Sequence, residues 1–172
     1  GNYLKQLIVD HSLGTSYVTK QDVSREIVDR FEVTFTLAVE STLVAVVFGT
    51  VMGILAAVHQ GSVLDNISMV IALVGAAMPG FWIGLLLSIL FALKLGWFPA
   101  SGWGDFSHTV LPCLSLAIGS AGTIARQTRS AMLEVIRQDY MRTAKAKGLK
   151  RNTVIFQHGL RNALIPLITF MG

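Results

Sequence analysis

Three apolar runs alternate with polar segments along this chain. Residues 33–58 contain Glu40 as their only charge, residues 67–93 contain no charge, and residues 109–125 form a shorter run that ends at Arg126. A helix of about 20 predominantly apolar residues spans the hydrocarbon core of a bilayer. The pattern therefore predicts three membrane-spanning helices and an all-α fold, a polytopic transmembrane helix bundle.

The composition agrees with a membrane protein, and the charges orient the spans. Charged residues make up 14% of the chain, against about a quarter in soluble domains, and the mean hydropathy is +0.59. Nine of the fourteen Lys and Arg residues lie between Arg126 and Arg161, with only two acidic residues. Such a cluster is typical of cytoplasmic segments. We predict that residues 126–162 are cytoplasmic, that residues 1–32 and 94–108 are outside, and that nucleic acid is not a partner.

Glycine and proline positions indicate how the spans pack and bend. Gly49 and Gly53 form a GxxxG pair, which favours close approach of a neighbouring helix. Pro79 removes a backbone hydrogen bond within 67–93 and predicts a kink near the middle of that span. A static kink and a flexing point in a transport cycle are equally compatible with this proline.

Three residues in the spans are candidates for a translocation path. Glu40 lies about seven residues, or roughly 10 Å, from the external end of its helix, so its carboxylate can reach the interface as well as line a path. Pro79 and Trp82 are the other two, with helix packing or lipid contact as the alternative for each.

The sequence contains no recognisable catalytic machinery. Cys113 is the only cysteine and the four histidines are far apart, so neither a disulfide nor a metal site is predicted. The chain has no GxxxxGK[ST] phosphate loop, no GxSxG elbow and no HExxH helix. We therefore predict that it is not an enzyme and has no catalytic residues.

A basic segment, 139–166, separates the third span from the next apolar run. We expect a helix that ends at Gly148, where a left-handed cap is favoured, and a second helix capped by Asn152 or Thr153. Small side chains in the first helix would let a partner approach its backbone, and basic side chains would form rim contacts. Attraction of the same charges to anionic lipid is the alternative, but it does not account for the small residues or the glycine.

This segment and others resemble the permease subunit of binding-protein-dependent ABC importers, in the dipeptide, oligopeptide and nickel branch. DYMRTAKAKGL at 139–149 and HGLRNALIP at 158–166 resemble the EAA loop of that branch. PGFWIG at 79–84 and LGWFPASG at 95–102 fit it as well. The resemblance covers essentially the whole chain and implies a type I ABC importer permease fold with a cytoplasmic coupling helix.

The loop departs from the general EAA pattern at three positions. Arg142 stands at the usual glutamate, Thr143 at the first alanine, and Arg161 at a proline. These departures fit the peptide and nickel branch, but they remove a carboxylate that could pair with the ATPase. The resemblance assigns ATPase coupling to Asp139, Tyr140, Arg142, Thr143, Ala144, Lys145, Ala146, Lys147, Gly148 and Leu149.

The resemblance also implies the partners of the chain. The loop would dock on a cytoplasmic ATPase subunit, which would bind ATP and Mg, and this chain would bind no cofactor. A second, homologous permease subunit, an extracytoplasmic solute-binding protein and membrane lipid would complete the assembly in the inner (plasma) membrane of a prokaryotic cell. The substrate stays open among dipeptides, oligopeptides, nickel or its chelates, and glutathione.

The sequence leaves two other functional classes open, and it also predicts that the chain is part of a longer protein. An ion-coupled secondary transporter would ordinarily need more buried ionisable groups than Glu40, and a non-transport membrane scaffold is the third class. We expect an internal fragment, because the chain begins with glycine and its last apolar run, 163–172, is about half a span long. Its domains would be an external segment, 1–32, and a permease domain, 33–172, truncated at its C-terminal end.

Overall fold

The computed structural model describes residues 13–149, 153–163 and 169. Its helical elements, in chain order, are α1 (Val23–Val58), α2 (Val63–Ala77), α3 (Gly80–Leu87) with a π-helical continuation (Ser88–Lys94), α4 (Phe106–Ile136), α5 (Asp139–Ala146) and a second π-helical segment (Val154–Leu160). Among the described residues, extended pairing is limited to one isolated bridge, between Thr15 and Asp22. The all-α prediction is confirmed.

The chain divides into two compact units, Gly1–Glu40 and Ser41–Gly172. In the first, Asp22 caps helix α1, because its Oδ1 accepts hydrogen bonds from the backbone N–H groups of Ser24 and Arg25 at 2.8 and 3.3 Å. The sequence predicted a first span that begins at residue 33, separate from the external segment 1–32. That prediction is wrong, since residues 23–32 and the span are parts of one 36-residue helix.

The second predicted span, 67–93, is broken rather than kinked. Helices α2 and α3, taken with its continuation, meet at a bend of 106°. Met78 and Pro79 both have extended backbone, with ψ of 136° and 132°, since a proline disfavours helical geometry in the residue before it. The prediction of a simple kink is therefore corrected to a break between two helices. The first helix also begins four residues before the predicted start, at Val63.

Helix α4 lies at the centre of the second unit and contacts α1, α2 and α3. A Cβ atom on Gly53 would lie 2.5 Å from the carbonyl oxygen of Ala125, and one on Gly49 would lie 2.7 Å from that of Ala121. A Cβ atom on Gly122 would overlap the carbonyl oxygen of Ala72. The GxxxG prediction of close helix packing is confirmed, and the partner of α1 is α4.

Two described helices, α1 and α4, are long and apolar enough to cross a membrane, and the bent pair makes a third span if it crosses as one. Large apolar side chains project from these helices, among them Phe48, Val51, Ile71 and Leu73, each at least half exposed. In water such a surface would be unfavourable, whereas lipid or a second membrane subunit accepts it. The polytopic helix bundle predicted from the sequence is thereby confirmed.

Candidate coupling and translocation site

Helix α5 is held against the C-terminal end of α4 by a small apolar cluster. Met141, Ala144 and Val154 are each at most 8% exposed and pack together with Ile136. A Cβ atom on Gly159 would lie 3.3 Å from the Met141 Cε atom, so the two chain segments approach closely there. Isolated helices this short are marginal in water, and this packing supplies the support that α5 needs.

The same end of α4 also packs in a second, larger apolar cluster. Met132 and Leu133 pack with Ile54 of α1 and with Ile155 of the second π-helical segment. Met132 is fully buried, and burying a side chain of this size contributes about 1.5–3 kcal/mol. Ile136 packs against both clusters, so the contacts of α5 continue into those that join α4 with α1 and the second π-helical segment. A displacement of the loop is therefore resisted by contacts that reach the membrane-spanning helices.

The structure divides the predicted coupling residues between an outer and an inner surface. Thr143 and Ala146 are exposed, whereas Ala144 is buried in the apolar cluster. The expectation that all three small residues face a partner is therefore corrected for Ala144, which occupies the inner face one turn after Met141. The other exposed candidates are Asp139, Tyr140, Arg142, Lys147, Gly148 and Leu149.

Gly148 follows the end of helix α5 in a left-handed conformation, as the sequence predicted. Its φ is +80°, which is the left-handed region that glycine adopts without steric cost. Asn152, positions 150–151 and 164–166 of the predicted loop, and the side chain of Lys145 lie outside the described residues. Thr153 has helical backbone angles and makes no capping hydrogen bond, so its predicted role as a cap is wrong.

A buried ion pair joins α2 to α4 beside this core. Arg129 Nε donates to Asp65 Oδ1 at 2.6 Å, and Arg129 Nη2 donates to Asp65 Oδ2 at 2.7 Å. The Gly61 N–H donates to Asp65 Oδ2 at 3.0 Å, and the Asp65 N–H donates to Ser62 Oγ at 3.3 Å. Asp65 is 2% exposed and the Arg129 side chain 27%. The forked guanidinium therefore meets a carboxylate that the helix cap has already fixed.

Sequence reasoning missed this ion pair. Asp65 falls in a polar turn and Arg129 in the basic cluster from which the orientation was predicted, and 64 positions separate them. One local signal was present, since Ser62-Val63-Leu64-Asp65 is an S-x-x-D sequence before an apolar run, which is typical of a helix N-terminus. That signal places Asp65 in the first turn of a helix, but it does not identify the partner.

A cavity of about 550 Å³ lies at the break between α2 and α3. Its wall includes Met78 and Gly80 on either side of the break, and hydroxyl groups from Ser115 and Thr123 of α4. The Ser115 hydroxyl donates to the Pro112 carbonyl oxygen at 2.8 Å, and the Thr123 hydroxyl donates to the Gly119 carbonyl oxygen at 3.3 Å. Since both protons point back into the helix, the hydroxyl oxygens present acceptor lone pairs to the cavity.

None of the three predicted path residues is among those that line this cavity. Pro79 forms the break at the cavity, although its neighbours rather than Pro79 itself form the wall. Trp82 is 43% exposed and is not part of that wall. Glu40 ends the first unit, where one carboxylate oxygen, Oε2, is buried and has no hydrogen-bond partner among the described residues. A path role for these residues stays a prediction.

Comparison with known proteins gives one family and several relatives. The sequence model of the family described as "Binding-protein-dependent transport system inner membrane component" matches residues 49–172. The glutathione transport system permease protein GsiC of Pectobacterium atrosepticum is 45% identical over 165 residues, which cover 96% of this chain and 54% of the relative. The GsiC protein of Escherichia coli K12 is 43% identical over 164 residues, covering 95% and 54%. The chain thus spans about half the length of the curated relatives it matches.

Proposed function

Because this chain belongs to the family of inner membrane components of binding-protein-dependent transport systems, we propose that it is a permease subunit of an ATP-driven importer. In this proposal the chain forms part of a translocation path for glutathione or other small peptides. A separate ATPase binds ATP and Mg and supplies the energy, and a second permease subunit and an extracytoplasmic solute-binding protein complete the assembly.

The coupling loop is the observation that carries the proposal. Helix α5 presents a mostly polar outer surface and buries its inner face against the end of a membrane-spanning helix. A partner that pulls on α5 therefore pulls on α4 as well, since the two share an apolar core with Ile136. Coupling requires that the partner contact the loop differently in two conformations, and the exposed residues of α5 are available for such contacts.

The cavity at the break between α2 and α3 is suited to form part of the translocation path. Oriented hydroxyl oxygens accept hydrogen bonds from amide N–H or ammonium groups, which peptides carry. The remaining wall is largely apolar, with Val46, Ile83 and Ile124, and such a wall holds a solute weakly enough for release. We therefore propose this cavity, rather than Glu40 or Trp82, as the part of the path that this chain contributes.

Glutathione is the first substrate to test. The relatives above carry glutathione transport in their names. Glutathione has amide and ammonium groups, and the oxygens of the cavity hydroxyls can accept hydrogen bonds from them. Nickel requires ligands of a different kind, and among the described residues no group of three His, Cys, Asp or Glu side chains is placed to hold a metal ion. A dipeptide and nickel are the competing substrates in the same assay.

Uptake into proteoliposomes tests the proposal. The permease is co-expressed with candidate ATPase, second permease and binding-protein subunits from the same organism, purified, and reconstituted with ATP inside the vesicles. We expect the ATPase to co-purify and labelled glutathione to accumulate only when both ATP and the binding protein are present. Failure to recruit an ATPase, together with no ATP-dependent uptake of any of the three solutes, would refute the proposed function.

An ion-coupled carrier is a second candidate because of Glu40. Its carboxylate oxygen Oε2, which is buried and has no hydrogen-bond partner in the described part of the chain, resembles the intramembrane ionisable groups that carry protons in secondary transporters. This candidate predicts uptake that follows a proton gradient without ATP and that is lost in Glu40→Gln. The leading proposal predicts that the gradient has no effect and that Glu40→Gln still transports.

A further inference from the structure

We propose that the Asp65–Arg129 pair is a positioning contact of the transport cycle, one that makes α2 follow α4 when the coupling loop moves. The inference rests on the proposed function, since it requires a partner ATPase that displaces the loop. In that function the pair touches neither solute nor nucleotide. It acts by fixing the start of α2 to the part of α4 that the loop holds.

The geometry of the pair suits it to transmit a displacement. Two parallel N–H to oxygen bonds, at 2.6 and 2.7 Å, hold the carboxylate in the plane of the guanidinium, so sliding or rotation of one helix strains both bonds. The Gly61 N–H and the Ser62 hydroxyl fix the same aspartate to the turn before α2. Arg129 therefore binds an aspartate that is itself held by the turn before α2, and not a side chain that is free to move.

The position of the pair connects the loop with the cavity. Arg129 lies one turn before Met132 and Leu133, which pack in the core that includes Ile155 of the loop. From Asp65, helix α2 extends about 20 Å to Ala76 and Met78, which form part of the cavity wall. A movement that enters at the loop thus reaches the cavity through α4, the ion pair and α2.

Contacts further along α2 and α4 are close but not directional. Gly122 lies against Ala72, and Gly75 lies against Ile118, so these surfaces meet through backbone and small apolar groups. Small residues let the two backbones approach closely, but these contacts are not hydrogen bonds with a preferred direction. Apolar residues of similar volume often stabilise a protein as well as a buried ion pair does, and what the pair adds here is a fixed register between the helices.

Paired substitutions in the assembled transporter separate positioning from stability. The double variant Asp65→Leu/Arg129→Leu removes both charges together, so neither is left buried alone. The exchange variant Asp65→Arg/Arg129→Asp restores a pair in the opposite sense, and Arg129→Lys keeps the charge but loses the fork. Arg126→Gln is the matched control, since this residue lies one turn earlier on α4 and no ion pair involves it among the described residues.

The readouts are the yield of assembled complex, the rate of ATP hydrolysis, and the glutathione taken up per ATP hydrolysed. We expect the paired-leucine variant to assemble and hydrolyse ATP like the parent, while its uptake per ATP falls about tenfold. Arg129→Lys should give an intermediate loss, the exchange variant should recover part of the uptake, and Arg126→Gln should match the parent.

Three results would overturn the inference. Parental uptake per ATP in the paired-leucine variant would show that register does not depend on the pair. Parental uptake in Arg129→Lys would show that the fork is not needed. Loss of assembled complex in both variants would show that the pair is only structural. The parent is measured first, because absent ATP-dependent uptake in the parent contradicts the proposed function, whereas parental uptake with unchanged variants contradicts this inference alone.

Discussion

Substitution of Gly53 by alanine should loosen the contact between α1 and α4. The added Cβ atom would lie 2.5 Å from both the Ala125 carbonyl oxygen and the Thr128 Cβ atom, whereas ordinary contact begins at 3.4 Å. The two helices must therefore separate by about 0.9 Å at this point. Neither obstacle is the end of a flexible side chain, so the backbone has to move.

The expected cost follows from that separation. A gap of 0.5–1 Å forfeits roughly a quarter to a half of the dispersion energy of the atoms that line it, and overpacked cores lose about 1–3 kcal/mol. Alanine also favours a helix by about 1 kcal/mol over glycine, so we expect the free energy of unfolding of the Gly53→Ala protein to fall by about 1 kcal/mol net. Reversible unfolding in mixed detergent micelles, followed by circular dichroism, measures the change.

Gly119→Ala is the matched control for this prediction. A Cβ atom at this position in α4 would lie 3.6 Å from the Gly75 carbonyl oxygen, which is ordinary contact, and alanine favours a helix by about 1 kcal/mol over glycine. The control should be as stable as the parent or slightly more stable. Equal stability of the Gly53→Ala and Gly119→Ala proteins would refute the close-packing argument.

Three further predictions concern separate parts of the chain. Thr128→Val should raise the free energy of unfolding by about 1 kcal/mol, because the Thr128 hydroxyl is buried with no hydrogen-bond partner among the described residues; a loss of stability in the same unfolding assay would contradict this. Gly148→Pro should abolish ATP-dependent uptake while membrane insertion, measured by carbonate extraction, stays normal, because proline cannot adopt a φ of +80°; normal uptake would count against the coupling role. Hydrogen bonds from Ser107 and then His108 hold the pKa of Asp105 below its usual range, so these contacts should persist above the ordinary aspartate pKa and be lost as pH falls through the lowered one; the protection of the backbone amides of residues 105–108 against hydrogen exchange, relative to the intrinsic rate at each pH, should fall over that acid range in the parent, and the same fall in Asp105→Asn would refute the assignment.

Local patterns in the sequence predicted the features that depend on neighbouring residues alone. The left-handed end of α5 at Gly148 follows from backbone sterics, and the close approach at Gly49 and Gly53 follows from the absence of side chains. Both are present in the structure. The inner face of α5 was not recognised, because the i, i+3 spacing of Met141 and Ala144 is visible only when the cluster behind them is known.

Features that depend on distant residues could not be predicted in this way. Pro79 indicated a disturbance, but the 106° bend also needs α4 as a surface on which both halves pack. The partner of Asp65 lies 64 positions away, and no periodicity connects the two. Arg129 was counted in the basic cluster from which the orientation was predicted, and membership of that cluster gave no indication of its specific contact with Asp65.

Crosslinking from the coupling helix tests the central claim of this account most directly. Cys113 is buried in α4 and is replaced by serine, and a cysteine carrying a photoreactive group is then placed at Ala146 or at Ala144 in the assembled transporter. Ala146 is exposed and Ala144 is buried, so we predict that light links position 146 to the ATPase subunit and that position 144 gives no such product. Absence of an ATPase crosslink from position 146, in complexes where the ATPase is present and other exposed positions of α5 are also silent, would contradict the claim that this helix receives the work of ATP hydrolysis.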